Sequence, residues 1–302
     1  LVLGHLAAAP ATAQQPPPDL VLLVAVDQLR PDYFRTWDRQ FIGGFRRLMD
    51  GGLLYDRGSQ LHAITETAPG HATMLSGRTP ARTGIVSNEH GVEDPVFGAS
   101  PRKFRGTTLV DWMLAGDSGL RVLSVSRKDR AAILPVGRAR GQVYWFQDGR
   151  FATSRYYADA LPPWVESFNR RRWAERLAGT VWTLLLPDSA YAERDDQPFE
   201  TGGRHPAFPH PLPATAGETA AQLASFPWMD SLTLAFALEG VRQLGLGRRG
   251  RPDLLSVSLS TTDAVGHEYG PDSRELHDHL LRLDRWLGRF LGSLAVLAPG
   301  RT

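Results

Sequence analysis

The chain has 302 residues, with 34 Lys and Arg against 32 Asp and Glu for a net charge of +2, and it contains no cysteine. The near balance gives no electrostatic footing for a nucleic-acid partner, and the missing cysteines rule out disulfides and thiolate metal sites, leaving Asp, Glu and His to hold any transition metal. At 42% hydrophobic residues the length suits one large α/β domain or two ordinary ones.

Leu1 to Ala13 is apolar and uncharged, with small residues at Ala11 and Ala13 ahead of Gln14-Gln15-Pro16-Pro17-Pro18. This is the pattern of a secretory signal's apolar region and cleavage site. No other run reaches the roughly 18 apolar residues of a membrane span. The expectation is an exported protein, periplasmic or secreted, whose oligomeric state stays open.

Leu20 to Val26 is an unbroken apolar run rich in β-branched residues, the signature of a buried parallel strand, and it ends at Asp27. Phe41 to Met49 reads as a short helix closed by Gly51-Gly52, and Pro69 to Leu75 as another, stopped near Gly77. Thr107 to Ala115 is an amphipathic helix. Leu120 to Ser126 is a second strand, with Lys128 and Arg130 just beyond it. Residues 138–228 change character, becoming rich in Trp, Tyr, Pro and Arg. There Tyr144 to Phe146 and Thr153 to Tyr157 read as short edge strands. A helix opens at Pro162-Pro163 and runs to about Arg176, and 201–215 is loop. The whole stretch reads as an inserted cap over the main sheet.

Ser231 to Leu244 is helical. Asp253 to Ser260 is a strand that leads to Asp263 and, four residues on, His267. The last helix spans about Ser273 to Leu294, with leucines at helical spacing and with Asp272 and Glu275 at capping-box spacing. Strand–helix alternation with apolar strands predicts an α/β domain, a mostly parallel sheet covered by helices on both faces in three αβα layers.

In such sheets ligands bind beyond the carboxyl ends of the strands. Those ends supply Asp27, the pair Lys128 and Arg130, and the pair Asp263 and His267. Thr67 opens a helix through Thr67-Ala68-Pro69-Gly70-His71, where a hydroxyl can attack phosphorus and the amides and dipole favour an anion. Each residue alone has a plainer reading: Thr67 as a helix N-cap, the aspartates as turn residues, the cations as solvated. Together they match one task. Carboxylates and imidazole suit divalent metals that activate a hydroxyl and clamp a phosphoryl group, while cations neutralise its oxygens.

Other signals carry less. Gly245 to Gly250 fits a dinucleotide fingerprint in spacing but lies between a helix and a strand, the reverse of the required order. His205, His210, His277 and His279 read as surface residues. His71 orders the turn at Thr67.

The motifs Val26-Asp27-Gln28-Leu29-Arg30, Thr67-Ala68-Pro69-Gly70-His71-Ala72, Gly84-Ile85-Val86-Ser87-Asn88, Ser126-Arg127-Lys128-Asp129-Arg130-Ala131 and Thr262-Asp263-Ala264-Val265-Gly266-His267, in this order, resemble the alkaline phosphatase superfamily. The similarity is to its PafA-type branch of phosphate monoesterases with a threonine nucleophile, across roughly residues 20–294. The resemblance implies zinc-dependent hydrolysis of phosphate monoesters through a phospho-threonine at Thr67. It implies two zinc ions, one held by Asp27 with Thr67 and one by Asp263 with His267, and phosphoryl oxygens bound by Asn88, Lys128 and Arg130. It also implies a further Asp-His pair after the last helix and another His near the C-terminus. The sequence ends at Arg301-Thr302 before either, so an incomplete catalytic domain over 20–302 is expected. The rivals are a phosphodiesterase or nucleotide pyrophosphatase of the same superfamily and an inactive phosphate-ester-binding protein. A sulfatase needs Cys or Ser where Thr67 stands.

Overall fold

The computed structural model describes residues 17–302 apart from 56, 199 and 204–206, so the signal-like segment 1–13 and His205 lie outside the described residues. Strands β1 (Leu20–Val26), β2 (Val122–Ser126), β3 (Gln142–Gln147), β4 (Arg150–Ala152) and β5 (Asp253–Leu259) form one five-stranded sheet in the order β1-β5-β2-β3-β4. All neighbours run parallel except β4, which turns back antiparallel on β3.

Alternation along each strand sends side chains to two different layers. Leu123 and Val125 of β2 join Leu255, Val257 and Leu259 of β5 in a core with helices α6 (Trp228–Leu244) and α8 (Arg274–Leu297). Val122, Val143, Trp145 and Leu254 point the other way. They pack with Ala68 and Ala72 of α2 (Thr67–Met74) and with Ala132 and Ile133 of α3 (Asp129–Ile133). The domain is therefore the three-layer αβα arrangement expected. On that second face β2 and β5 also carry buried serines, Ser124, Ser126, Ser256 and Ser258. Ser124 Oγ donates to the Ala132 carbonyl at 2.6 Å, fastening α3 to the sheet.

Helix α8 buries Leu276, Leu280, Leu283, Leu287 and Leu294 along one stripe, as its spacing predicts. It also buries Asp284, whose carboxylate accepts from the amides of Ile42, Gly43 and Phe45 at 2.8, 2.6 and 2.8 Å. These amides open α1 (Gly44–Gly51), so a side chain of one helix caps another. The contact is close enough that a Cβ on Gly43 would stand 2.3 Å from the Asp284 carbonyl oxygen, which explains the Gly43-Gly44 pair.

Several sequence expectations are corrected. Tyr144–Phe146 lies in β3, an interior strand paired on both sides, and Thr153–Tyr157 forms turns instead of a strand. The first part of the 138–228 stretch thus extends the main sheet. Its helix breaks into α4 (Pro163–Asn169) and α5 (Trp173–Leu177), parted where Arg172 adopts a left-handed φ of 51°. The cap of α8 is Ser273, which accepts from the Leu276 amide at 3.1 Å, and Asp272 stays outside. Glu275 turns inward instead and meets His210 Nε2 at 2.8 Å.

His210, His277 and His279 are buried, not surface, residues. His277 stacks on Trp37 at 4.2 Å between centroids and reaches Glu193 and Gln40, while His279 meets Thr262 at 3.0 Å. Each buried ring finds a polar partner distant in sequence, as burial demands. His277 and His279 do face opposite ways, as two residues so close on a helix must.

Replacing Asp284 by Ala leaves three amides at the start of α1 without their acceptor. The expected loss is roughly 2–4 kcal/mol in urea-unfolding stability. A change below about 0.5 kcal/mol, the usual scatter of surface substitutions, would contradict the capping role.

Candidate active site

Strands β1, β5 and β2 are parallel neighbours, so their carboxyl ends open side by side. Beyond β1 stands Asp27, followed by Gln28 at a left-handed φ of 62° that turns the chain away. Beyond β5, helix α7 (Thr261–Tyr269) carries Asp263 in its first turn and His267 one turn later. Beyond β2 come Arg127, then Lys128 at the N-cap of α3, then Arg130. Asp27, Thr67, Asn88, Lys128, Arg130, Asp263 and His267 all line one cleft of about 570 Å³.

The centre of the cleft is the buried ammonium of Lys128. It donates to Asp27 Oδ2 at 2.7 Å, to Asp263 Oδ2 at 2.5 Å and to Thr67 Oγ1 at 3.1 Å, which uses all three of its donors. Thr67 Oγ1 in turn donates to Asp27 Oδ2 at 3.1 Å. Burial pushes the Asp27 carboxyl up, but the charge of Lys128 and the hydrogen bonds from Lys128 and Thr67 outweigh it, so its pKa lies below the usual range. Asp27 is therefore an ionised acceptor held against the Thr67 hydroxyl.

Thr67 is not the N-cap of α2. That position belongs to Glu66, and Thr67 is the first helical residue, with its hydroxyl turned into the cleft. The anion-binding role expected of the helix amides is also narrower than the sequence suggests. The Ala68 amide donates to Asn88 Oδ1 at 2.9 Å, Pro69 has none, and the Gly70 amide closes on the Glu66 carbonyl. Asn88 thus spends its acceptor on the helix and keeps its amide donors, while its own backbone N–H donates to Glu66 Oε2 at 2.6 Å.

Other residues hold these groups in place. His71, fully enclosed, bridges the Thr67 carbonyl and Ser258 Oγ, each at 2.8 Å, and ties the Thr67 turn to β5. Burial lowers its pKa, so the neutral ring is the stable form. Asp230 comes from α6 and is completely buried. Its Oδ1 accepts from the amides of Ser260 and Thr261 at 3.1 and 3.2 Å, which fixes the turn from β5 into α7 and so the aim of Asp263. Burial pushes the Asp230 carboxyl up to about 6 and the neighbouring His279 down to about 3.

His267 is the loosest member. Its ring is 70% exposed and stands 3.3 Å from Asp263 Oδ1, at the i,i+4 spacing of one helix face. Arg130 forms a long pair with Asp129 at 3.6 Å, and its Nε is enclosed without a partner. Sequence reasoning missed Glu66, Arg127 and Asp230. Glu66 and Arg127 adjoin named residues, whereas Asp230 sits mid-helix with no local signal.

Two carboxylates and an imidazole in one cleft have the donor chemistry of a hard-to-borderline divalent cation. The Lys128 ammonium stands where the carboxylates converge, so a positive charge already fits there. Among the described residues no three His, Asp or Glu converge on one point. The described side chains thus match a metal in type and supply part of a full ligand set.

A profile of the type I phosphodiesterase / nucleotide pyrophosphatase family matches residues 21–297. The alkaline phosphatase PhoV of Synechococcus elongatus is 36% identical over 306 residues, covering 92% of this chain and 56% of that protein. The alkaline phosphatase PafA of Elizabethkingia meningoseptica is 33% identical over 325 residues, covering 97% and 60%. A crystal structure of wild-type alkaline phosphatase PafA superposes with a TM-score of 0.87 at 33% identity, over 94% of this chain and 61% of that one. The fold is shared with that protein, and the chain spans little more than half the length of these relatives.

The Asp230 carboxyl gives a pH test. Its folded pKa of about 6 lies above the ordinary value, so the folded state binds the extra proton and wild type loses stability as pH rises through 6. Asp230→Asn keeps an oxygen acceptor for both amides and does not titrate. Its unfolding free energy relative to wild type should therefore rise by about 3 kcal/mol from below the ordinary aspartate pKa to mildly alkaline pH, the change being complete once pH has passed 6. A pH-independent difference in urea titrations would show that Asp230 is not held protonated by the fold.

Proposed function

The chain belongs to the type I phosphodiesterase / nucleotide pyrophosphatase family, and from that premise we propose that its cleft hydrolyses phosphate monoesters through a phospho-threonine at Thr67, with zinc as the metal. The observation that carries this reading is the placement of the Thr67 hydroxyl between an acceptor and a cation, Asp27 Oδ2 and Lys128 Nζ, each at 3.1 Å.

Asp27 orients the hydroxyl and draws its proton, which aims the oxygen at phosphorus. The ammonium of Lys128 stabilises the oxygen as negative charge develops on it. Thr67 Oγ1 forms its bond to phosphorus as the phosphorus–oxygen bond to the alcohol breaks, and the leaving oxygen takes a proton from water. A second water then attacks phosphorus, the Thr67 Oγ1–phosphorus bond breaks, inorganic phosphate is released and the hydroxyl regains a proton. Zinc held by Asp27 with Thr67, and by Asp263 with His267, would lower the hydroxyl's pKa and neutralise phosphoryl oxygens. The amide donors of Asn88 and the charges of Lys128 and Arg130 bind the non-bridging oxygens. Three such contacts suit a dianionic monoester better than a diester, which is what separates this reading from a phosphodiesterase or nucleotide pyrophosphatase.

Among the described residues no helix is long and apolar enough to cross a membrane. The apolar Leu1 to Ala13 segment supports a periplasmic or secreted location, and N-terminal sequencing of the recovered protein reads out whether it is removed.

Thr67→Ala in the complete protein should cost at least about a thousandfold in kcat with an unchanged circular dichroism spectrum, because the nucleophile is gone. Near wild-type turnover would sink the assignment. Lys128→Ala combined with Arg130→Ala should lower the ratio of monoesterase to diesterase kcat/KM by about tenfold or more, since charge-assisted contacts are each worth roughly 1.5–3 kcal/mol and a diester offers fewer charged oxygens. Equal losses on phenyl phosphate and its methyl diester would favour the diesterase.

A further inference from the structure

Arg127 follows the end of β2 and lines the cleft together with Lys128, Ala224 and Ser225. Its Nε is enclosed without a hydrogen-bond partner, and the side chain forms no ion pair among the described residues. Its neighbour in sequence differs sharply: all the donors of Lys128 are committed to Asp27, Asp263 and Thr67. Carboxylates do surround Arg127, since Asp230, Asp263 and Asp27 lie within electrostatic range and sustain its charge, yet none of them bonds to it. Burial and the like charge of Arg130 act against that charge, and the Nε–H has no acceptor among the described residues.

A guanidinium presents five N–H donors in a planar fork that matches an oxyanion. The reaction proposed above assigns the non-bridging oxygens of a phosphoryl group at Thr67 to Asn88, Arg130 and Lys128, the last by exchanging one of its present hydrogen bonds. Arg127 is surplus to that count. The cleft, at about 570 Å³, is also much larger than a phosphoryl group, which occupies only a few times the roughly 30 Å³ share of one water. Given the phosphatase reading above, we infer that Arg127 forms a second oxyanion subsite, and that the substrates are phosphate monoesters whose alcohol carries another anionic group, a carboxylate or a second phosphate.

A matched pair of esters tests this: phenyl phosphate and the same ester with a carboxylate on the ring, with a bisphosphate run beside them to tell which oxyanion is preferred. In the complete protein, Arg127→Gln should lower the ratio of kcat/KM for the carboxylated ester to that for phenyl phosphate by about tenfold or more, the worth of one charge-assisted contact. Arg127→Lys keeps the charge without the fork and should restore only part of the ratio. An unchanged ratio in Arg127→Gln overturns the subsite while leaving the phosphatase reading intact. If wild type hydrolyses neither ester, that reading fails first, and calorimetric binding of the carboxylated ester decides the subsite. Weaker binding to Arg127→Gln than to wild type supports it, and equal binding overturns it.

Discussion

One ammonium group between two carboxylates organises this protein. Lys128 is buried, and it is tolerable there because Asp27 and Asp263 compensate its charge while Thr67 takes its remaining donor. The same contact places a cation between two carboxylates that would otherwise repel each other. The sheet order makes the meeting possible. Asp27, Asp263 and Lys128 follow three adjacent parallel strands, so a single side chain from β2 spans the end of β5 to reach the end of β1. Everything nearby serves that geometry: Asp230 sets the start of α7, His71 ties the Thr67 turn to β5, and the serine face of β2 and β5 lets short helices lie close against the strands.

Much of this was legible in the sequence. Apolar-rich runs mark the parallel strands Leu20–Val26, Val122–Ser126 and Asp253–Leu259, and the polar residues just past them line one cleft. Leu20–Val26, expected to be buried, instead lies at the edge of the described sheet with only Leu20 and Ala25 buried. The alternation Leu-Leu-Ser-Val-Ser-Leu in β5 even anticipates its two unlike faces, although only the packing shows which helix each face receives.

The histidine errors share one cause. His210, His277 and His279 read as surface residues because polar residues on a helix or in a Pro-rich loop normally face water. Their partners, Glu275, Glu193, Gln40 and Thr262, come from other elements, and no local pattern reports them. Asp284 and Asp230 are the same case, each a helix carboxylate that satisfies backbone amides of a different element. The Tyr144–Phe146 segment misled in the opposite sense. Aromatic strands suit edges and interiors alike, and only its pairing on both sides decides between them.

The position of β5 bears on how the chain reaches its native state. Among the described strands of the sheet it comes last in sequence but sits between the first and the second. Until it arrives, β1 and β2 share no hydrogen bonds, and Lys128 lacks the neighbour that completes its ion triad, 135 residues downstream. During synthesis more than four-fifths of these residues must therefore leave the ribosome before the central pairing can form. The entropy of closing that loop is paid before any of the triad's attraction is returned. The Lys128 triad is thus completed by the insertion of β5 between two strands that precede it in the chain.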